Sequence, residues 1–182
     1  MSYDIRLKEP ATDETIQLPF EHCMIGGTYS ASYFNGKFEP LPNRDAWLNV
    51  TYNYASYYYE ATENDPRFAH DEISCYYADG TTGPIVTEYG IRGIYGKTGA
   101  ESIPMLQDMI SRIEEKYKPN GGWISSMKMT YDMNTGEEKG EKEISEGDTS
   151  NYWIDTAANA LKPLYQLLTM AKLRPDGVWD GD

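Results

Sequence analysis

Hydrophobic residues recur at helical spacing in two long stretches of the chain. Within residues 101–117 the apolar positions fall three or four residues apart, at Ile103, Leu106, Met109, Ile110, Ile113 and Tyr117. This spacing predicts an amphipathic helix. Pro104 falls in its first turn, where a missing N–H costs no hydrogen bond, and Ser102 or Glu101 is the expected N-terminal cap.

The second helical pattern covers residues 152–173. Its apolar stripe consists of Trp153, Ala157, Ala160, Leu161, Leu164, Leu167, Leu168 and Ala171. Thr149 or Ser150 is the expected cap, and Pro163 is expected to kink the helix or to divide it in two. After this helix, we expect Trp179 to fold back onto it and Arg174 to pair with a carboxylate.

Alternation of apolar and polar residues predicts strands and hairpins elsewhere. The segments are 2–8 and 14–19, joined by a turn at 10–13; 47–54; and 123–131 and 137–145, joined through Asn134-Thr135-Gly136. The expected core face of the strand 47–54 consists of Leu48, Val50, Tyr52 and Tyr54. Residues 26–43 show no period and predict a loop.

Together these elements predict a single α+β domain over residues 1–182. A small antiparallel sheet with hairpins is expected to pack against the two main helices, 101–117 and 152–173, the latter kinked at Pro163. A chain of 182 residues is long enough for one hydrophobic core and shows no fixed-period repeat.

The net charge of the chain disfavours some classes of function. The chain has 16 Lys and Arg against 29 Asp and Glu, a net charge of -13. Such a chain repels phosphate backbones and anionic lipid, which disfavours direct nucleic-acid binding. No apolar run approaches the ~18 residues of a membrane helix. With two cysteines and no apolar leader, a cytoplasmic protein with reduced thiols is expected.

The candidate catalytic and cofactor motifs fail on spacing. Residues 90–99 are rich in glycine and precede a helix, but a Walker A motif ending at Lys97-Thr98 needs a glycine where the chain has Ile91. The order of the two histidines and two cysteines does not match a zinc finger, and no Cys–His or carboxylate pair lies in a catalytic frame. We therefore expect no enzyme, metal or cofactor. Residues 90–99 indicate a structural turn, or a loop that offers Arg92 and Lys97 to a partner.

Tyrosines and acidic residues cluster in the middle of the chain. Residues 60–88 carry seven acids and one base, and nine of the 16 tyrosines fall between positions 52 and 95. A charge run usually marks a solvated face, but rings among carboxylates also suit the lysines and arginines of a partner. The predicted contact residues are Tyr57, Tyr58, Glu60, Glu63, Asp65, Asp71 and Glu72. A second acidic patch is predicted at Glu137, Glu138, Glu141 and Glu143.

Several sequence blocks resemble a known family. They are residues 47–54, the segment Gly90-Ile-Arg-Gly-Ile-Tyr-Gly-Lys-Thr-Gly99 with the five residues after it, residues 160–168, and residues 171–182. These blocks resemble small proteins of phages and mobile elements of Firmicutes, the anti-CRISPR inhibitors of the type II RNA-guided DNA nuclease. Family members are shorter, and the resemblance implies that residues 55–88 and 119–148 are acidic insertions in this chain.

The resemblance implies a stoichiometric, non-enzymatic binder with that nuclease as its partner. An acidic protein can place carboxylates where a positively charged channel expects phosphates, and so block DNA binding or cleavage. The alternative is a housekeeping structural or regulatory protein of a phage or mobile element, whose acidity serves solubility alone.

Overall fold

The computed structural model describes residues 2–25, 28–29, 31–34, 36–119, 125–131 and 138–182. For the strand residues among 24–34, and for 38, 40, 75, 125–131, 138–139 and 141–143, it describes the backbone alone. The fold is α+β, as predicted: antiparallel strands pair in small sheets and three helices pack with them.

The elements follow one another in this order. The strands are β1 (Ser2–Lys8), β2 (Gln17–His22), β3 (Met24–Ile25), β4 (Thr28–Tyr29), β5 (Ala31–Phe34), β6 (Lys37–Pro40), β7 (Asn43–Asp45), β8 (Trp47–Thr51), β9 (Asp71–Tyr76), β10 (Thr82–Glu88), β11 (Ser125–Tyr131), β12 (Glu138–Ser145) and β13 (Val178–Gly181). The helices are α1 (Ala55–Thr62), α2 (Gly99–Tyr117) and α3 (Ala157–Leu173), with 3-10 turns at Tyr52–Tyr54, Pro66–Phe68 and Ile91–Ile94.

A three-stranded antiparallel sheet in the order β13-β1-β8 contributes one side of the core. On β1 the side chains of Tyr3, Ile5 and Leu7 are buried, as the two-residue period of a strand requires. The other described strands pair two by two, β2 with β7, β3 with β4, β5 with β6, β9 with β10 and β11 with β12. Buried residues of β1, β8, β13 and all three helices form one hydrophobic cluster.

Helix α2 confirms the predicted helix 101–117 and begins two residues earlier. Its cap is Thr98, not Ser102 or Glu101: the Thr98 hydroxyl accepts the Glu101 N–H, and the Glu101 carboxylate accepts the Thr98 N–H in return. This is a capping box, in which two free backbone donors are satisfied reciprocally. Pro104 is the sixth residue of the helix and lies in its second turn, not in the first as predicted, because the helix begins before its apolar pattern.

Helix α3 begins at Ala157, five residues later than its apolar stripe predicts. Thr156 caps it by accepting the Asn159 N–H. The helix runs through Pro163 without a break, so the prediction that it divides in two is wrong. The proline removes one backbone donor, but the buried neighbours Leu161 and Leu164 keep both halves packed in the core.

Several strand predictions need correction. The strand at 47 ends at Thr51, whose hydroxyl accepts the Asn53 N–H and starts a 3-10 turn. The segment 26–43 is not a loop, because it contains β5 paired with β6 around Gly36, whose φ of 78° suits a tight turn. The turn at 10–13 is present, and the Ile16 N–H donates to the Leu7 carbonyl beside the bridge between Lys8 and Thr15, but β2 itself pairs with β7.

The last residues of the chain belong to the scaffold. Trp179 on β13 is 1 % exposed, and its Nε1–H donates to the Ser102 hydroxyl on α2 at 2.7 Å. Trp179 therefore packs into the core as expected, although this hydrogen-bond partner lies on α2 and not on α3. Arg174 pairs with the carboxylates of Glu9 and Asp176, as predicted. None of the helices in the described ranges is long and apolar enough to cross a membrane.

Candidate functional site

Two of the predicted contact residues are core residues. Tyr57 is 2 % exposed and Tyr58 is fully buried, so neither contributes to a binding surface, and their assignment as contacts is corrected. The Tyr57 hydroxyl donates to Oε2 of Glu146 at 2.5 Å, and the Tyr58 hydroxyl donates to the carbonyl of Ala160 at 2.9 Å. Burial raises the pKa of both phenols well above the ordinary value. Tyr59, the next residue along the chain, is exposed.

Two of the predicted acids are committed to ion pairs within the chain. Oδ2 of Asp65 accepts from Arg67 at 2.7 Å and from Arg112 of α2 at 2.8 Å. Hydrogen bonds from Arg67, and then from Arg112, hold the pKa of the Asp65 carboxyl well below its usual range. Glu60 on α1 likewise pairs with Lys116 of α2 at 2.8 Å. These carboxylates join elements of the fold, so they are not free to meet a basic partner.

The remaining acids of the first patch lie at the surface. Glu63 caps the C-terminus of α1 and is exposed. Asp71 and Glu72 are exposed at the start of β9. The antiparallel register sets Asp71 opposite Glu88 of β10.

The hairpin of β9 and β10 carries exposed apolar residues among these acids. Tyr76 is 78 % exposed and Ile85 is 64 % exposed, and Ile73, Tyr77 and Val86 are also open to solvent. Residues 71–88 contain Asp71, Glu72, Asp79 and Glu88, and no Lys, Arg or His. We call residues 71–88 the acidic hairpin. Exposed apolar patches with a polar rim are typical of protein-binding surfaces.

A groove joins the acidic hairpin to the end of α1. It has a volume of about 330 Å³ and is lined by Tyr59, Glu63, Asn64, Val86, Thr87 and Tyr89. The groove makes Glu63 and the exposed ring of Tyr59 part of the same surface as β10. The candidate site therefore consists of the acidic hairpin with Tyr59 and Glu63 beside it.

Sequence reasoning identified the acids of this hairpin and missed its exposed apolar residues. A signal was available, since Asp79-Gly80 stands between two runs rich in β-branched and aromatic residues, a pattern typical of a β-hairpin. In the structure, Oδ1 of Asp79 accepts from the Thr81 N–H at 2.9 Å, and Gly80 has a φ of 84°. These features close the turn between β9 and β10.

The second predicted patch is described only in part. Strands β11 and β12 pair antiparallel, which confirms the hairpin expected there. Glu137 lies outside the described residues, as do the side chains of Glu138, Glu141 and Glu143. Their backbone places Glu141 opposite Met129 and Glu143 opposite Met127, so these two acids share one face of the hairpin.

The glycine-rich segment 90–99 forms a packed turn ahead of α2. A Cβ at Gly93 would lie 2.4 Å from the Cα of Phe68, so only glycine fits there. The guanidinium of Arg92 stacks on the rings of Tyr3 and Tyr52, and its Nε donates to the carbonyl of Asp182 at 2.9 Å. These contacts agree with a structural turn, in which Arg92 is held by the chain itself.

No protein-family model, curated protein or solved structure matches this chain. Among the described residues, no three side chains of His, Cys, Asp or Glu gather in a group that could hold a metal ion. The acidic hairpin and its groove are therefore assessed on their own chemistry.

Proposed function

We propose that this protein is a non-enzymatic, acidic inhibitor that binds a basic surface of a type II CRISPR RNA-guided DNA nuclease and blocks DNA binding or cleavage. The observation that carries the proposal is the acidic hairpin, which presents exposed rings and the exposed carboxylates of Asp71, Glu72 and Asp79, and has no base within residues 71–88. Its partner must then offer apolar surface rimmed by lysine or arginine.

The chemistry of such a nuclease fits that requirement. It holds nucleic acid in positively charged channels and reads the short motif beside its target with arginine side chains. A guanidinium can pair with a carboxylate and stack on a tyrosine ring at the same time. Asp71 and Glu72 on β9, with Tyr76 and Tyr77 at its far end, offer both kinds of contact within one hairpin. The resemblance of the four sequence blocks to anti-CRISPR inhibitors supports the same partner.

A second candidate function is a housekeeping structural or regulatory protein of a phage or mobile element. It is favoured by the internal ion pairs, because Glu9, Glu60, Asp65, Asp176 and Asp180 all contact a lysine or arginine of the same chain. Part of the acidity therefore serves the fold. The exposed hairpin acids are not explained in this way.

The experiment is a DNA-cleavage assay with purified type II nuclease–guide complexes and equimolar protein. We expect inhibition by the wild type, and at least about a tenfold loss of affinity in the triple variant Glu63→Gln, Asp71→Asn, Glu72→Gln. The control variant Glu14→Gln, Glu21→Gln, Glu115→Gln changes the net charge equally at exposed positions outside the hairpin and should inhibit like the wild type. Undiminished cleavage with every nuclease would contradict the proposed function. Equal inhibition by both variants would place the contact elsewhere.

A further inference from the structure

We propose that the outer edge of β9 is a docking edge, to which a basic, extended segment of the partner adds as a third strand. This inference rests on the proposed function and specifies how its surface engages. An added strand bonds to the backbone through main-chain hydrogen bonds, while alternate side chains supply specificity.

The acidic hairpin is a two-stranded sheet, and within the described ranges no third strand pairs with either of its outer edges. The two edges are not equivalent. Strand β10 contains Pro84, which has no N–H to donate, and its register is interrupted between Thr82 and Ile85. Proline and bulges of this kind protect a sheet edge from further pairing.

Strand β9 has no such protection. It contains no proline and pairs in continuous register from Asp71 to Ser74. The Glu72 N–H donates to Oδ1 of the neighbouring Asp71 side chain at 2.7 Å, and the N–H of Ser74 lies on the same edge because backbone donors alternate along a strand. We therefore assign the Glu72 and Ser74 amides to the open edge.

Both faces of the acidic hairpin carry exposed apolar side chains. Ile73 and Val86 stand opposite each other on one face, and Tyr76 and Ile85 lie on the other. All four are exposed. A two-stranded hairpin is marginally stable alone, and a third strand beside β9 would flank Ile73 and Tyr76 and stabilise the sheet.

The charge of the acidic hairpin determines which kind of segment can pair with the edge of β9. A second copy of this chain would bring another hairpin with four acids and no base against the first, so self-pairing is opposed electrostatically. A strand carrying lysine or arginine at alternate positions would set cations beside Asp71 and Glu72 instead. The occupant is thus a basic extended segment of the inhibited protein, at least about four residues long to match the regular part of β9.

The test has two stages, so that the two proposals fail separately. Size-exclusion chromatography first shows whether the protein binds the nuclease–guide complex, and absence of binding would contradict the proposed function together with this inference. On the bound complex, residue-resolved hydrogen exchange then compares the free and bound chain. We expect the Glu72 and Ser74 amides to exchange at least about tenfold more slowly when bound.

Variants at one position provide the matched control. Ser74→Pro removes the edge N–H and should weaken binding at least about tenfold, whereas Ser74→Thr keeps the N–H and should bind like the wild type. Thermal unfolding verifies that each variant is folded. A complex that forms with unchanged Glu72 and Ser74 exchange would overturn the inference whatever the proline variant does. Dimerisation of the free protein with those amides protected would also overturn it, because the occupant would then be a second copy.

Discussion

Glu146 is a buried carboxylate that joins three parts of the chain. Its Oε2 accepts the hydroxyl of Tyr57 on α1 and the N–H of Ala157 at the start of α3, and its own backbone lies just beyond β12. Its carbonyl also accepts the Ala158 N–H. An anionic group at a helix N-terminus is stabilised by the free N–H groups and dipole there. An acid of the segment 119–148 thus serves the core.

We predict that Glu146→Ala lowers the free energy of unfolding by about 2–4 kcal/mol, because it removes the side-chain acceptor of a buried helix amide and the nearer of two acceptors of the buried Tyr57 phenol. Glu146→Gln keeps a carbonyl oxygen at the same place and should cost clearly less. Urea unfolding of the three proteins measures both effects. A loss below about 0.5 kcal/mol for the alanine variant would contradict the bridging role.

At the scale of elements, the ion pairs of Asp65 connect the 3-10 turn Pro66–Phe68 with α2. Arg67 belongs to the turn and Arg112 to α2, and both bind the same carboxylate oxygen. Arg112 also donates to the carbonyl of Ala61 in α1 at 2.8 Å. The cluster fixes the position of the chain immediately before the acidic hairpin.

The lowered pKa of Asp65 predicts a stability that depends on pH. Because the folded chain holds the carboxyl ionised more strongly than the unfolded chain does, the stabilisation is complete above about pH 5, declines progressively as the pH falls below about 4, and is lost fully only as the pH passes the lowered pKa of the folded chain. We predict that Asp65→Asn lowers the free energy of unfolding by about 1–2 kcal/mol at pH 7 and by much less near pH 2. Urea titrations at both pH values measure the difference. An equal effect at the two pH values would show that charge is not the cause.

Periodicity predicted the elements whose pattern reflects burial on one face. Helix α2 and the pairing of β11 with β12 follow the apolar and turn signals in the chain. The predicted strand 47–54 is too long, because Tyr54 is buried from a 3-10 turn at a position where a strand would also bury it. Local alternation cannot distinguish these two backbones.

Charge density predicted where the acidic surface lies, but not which acids are free. Glu60 and Glu63 are three residues apart on the same helix end, yet only Glu60 reaches a lysine, and that lysine is 56 residues further along the chain. The buried hydroxyl of Tyr58 bonds to Ala160 of α3, 102 residues away, and that of Tyr57 bonds to Glu146, 89 residues away. Contacts over such distances are set by the tertiary fold, and so the sequence alone did not separate core from surface.

At the scale of the whole molecule, the chain end closes the central sheet. Strand β13 pairs with β1, with Leu7 opposite Trp179. The indole N–H of Trp179 donates to the Ser102 hydroxyl on α2. The Gly96 N–H donates to the Trp179 carbonyl as well, at 2.8 Å. The terminal block is therefore an integral part of the scaffold.

We predict that truncation after Leu173 lowers the melting temperature by about 10 °C or more, since losing a buried tryptophan alone costs about 3–5 kcal/mol. Trp179→Phe keeps an apolar ring without the indole N–H and should cost less than the truncation. Differential scanning calorimetry measures both variants. A truncated protein that keeps the melting temperature of the full chain but loses nuclease binding would contradict the scaffold role and make the tail a contact surface.

The net charge of -13 and the acidic hairpin together predict that binding to the nuclease is largely electrostatic. The most direct test is the dissociation constant of the complex between this protein and a type II nuclease–guide complex, measured at about 50 and about 200 mM salt. Exposed carboxylate–guanidinium contacts are screened over about 8–10 Å at physiological ionic strength, so we predict an affinity that falls several-fold or more between the two conditions. An affinity that does not change with salt, or no binding at either concentration, would contradict the account.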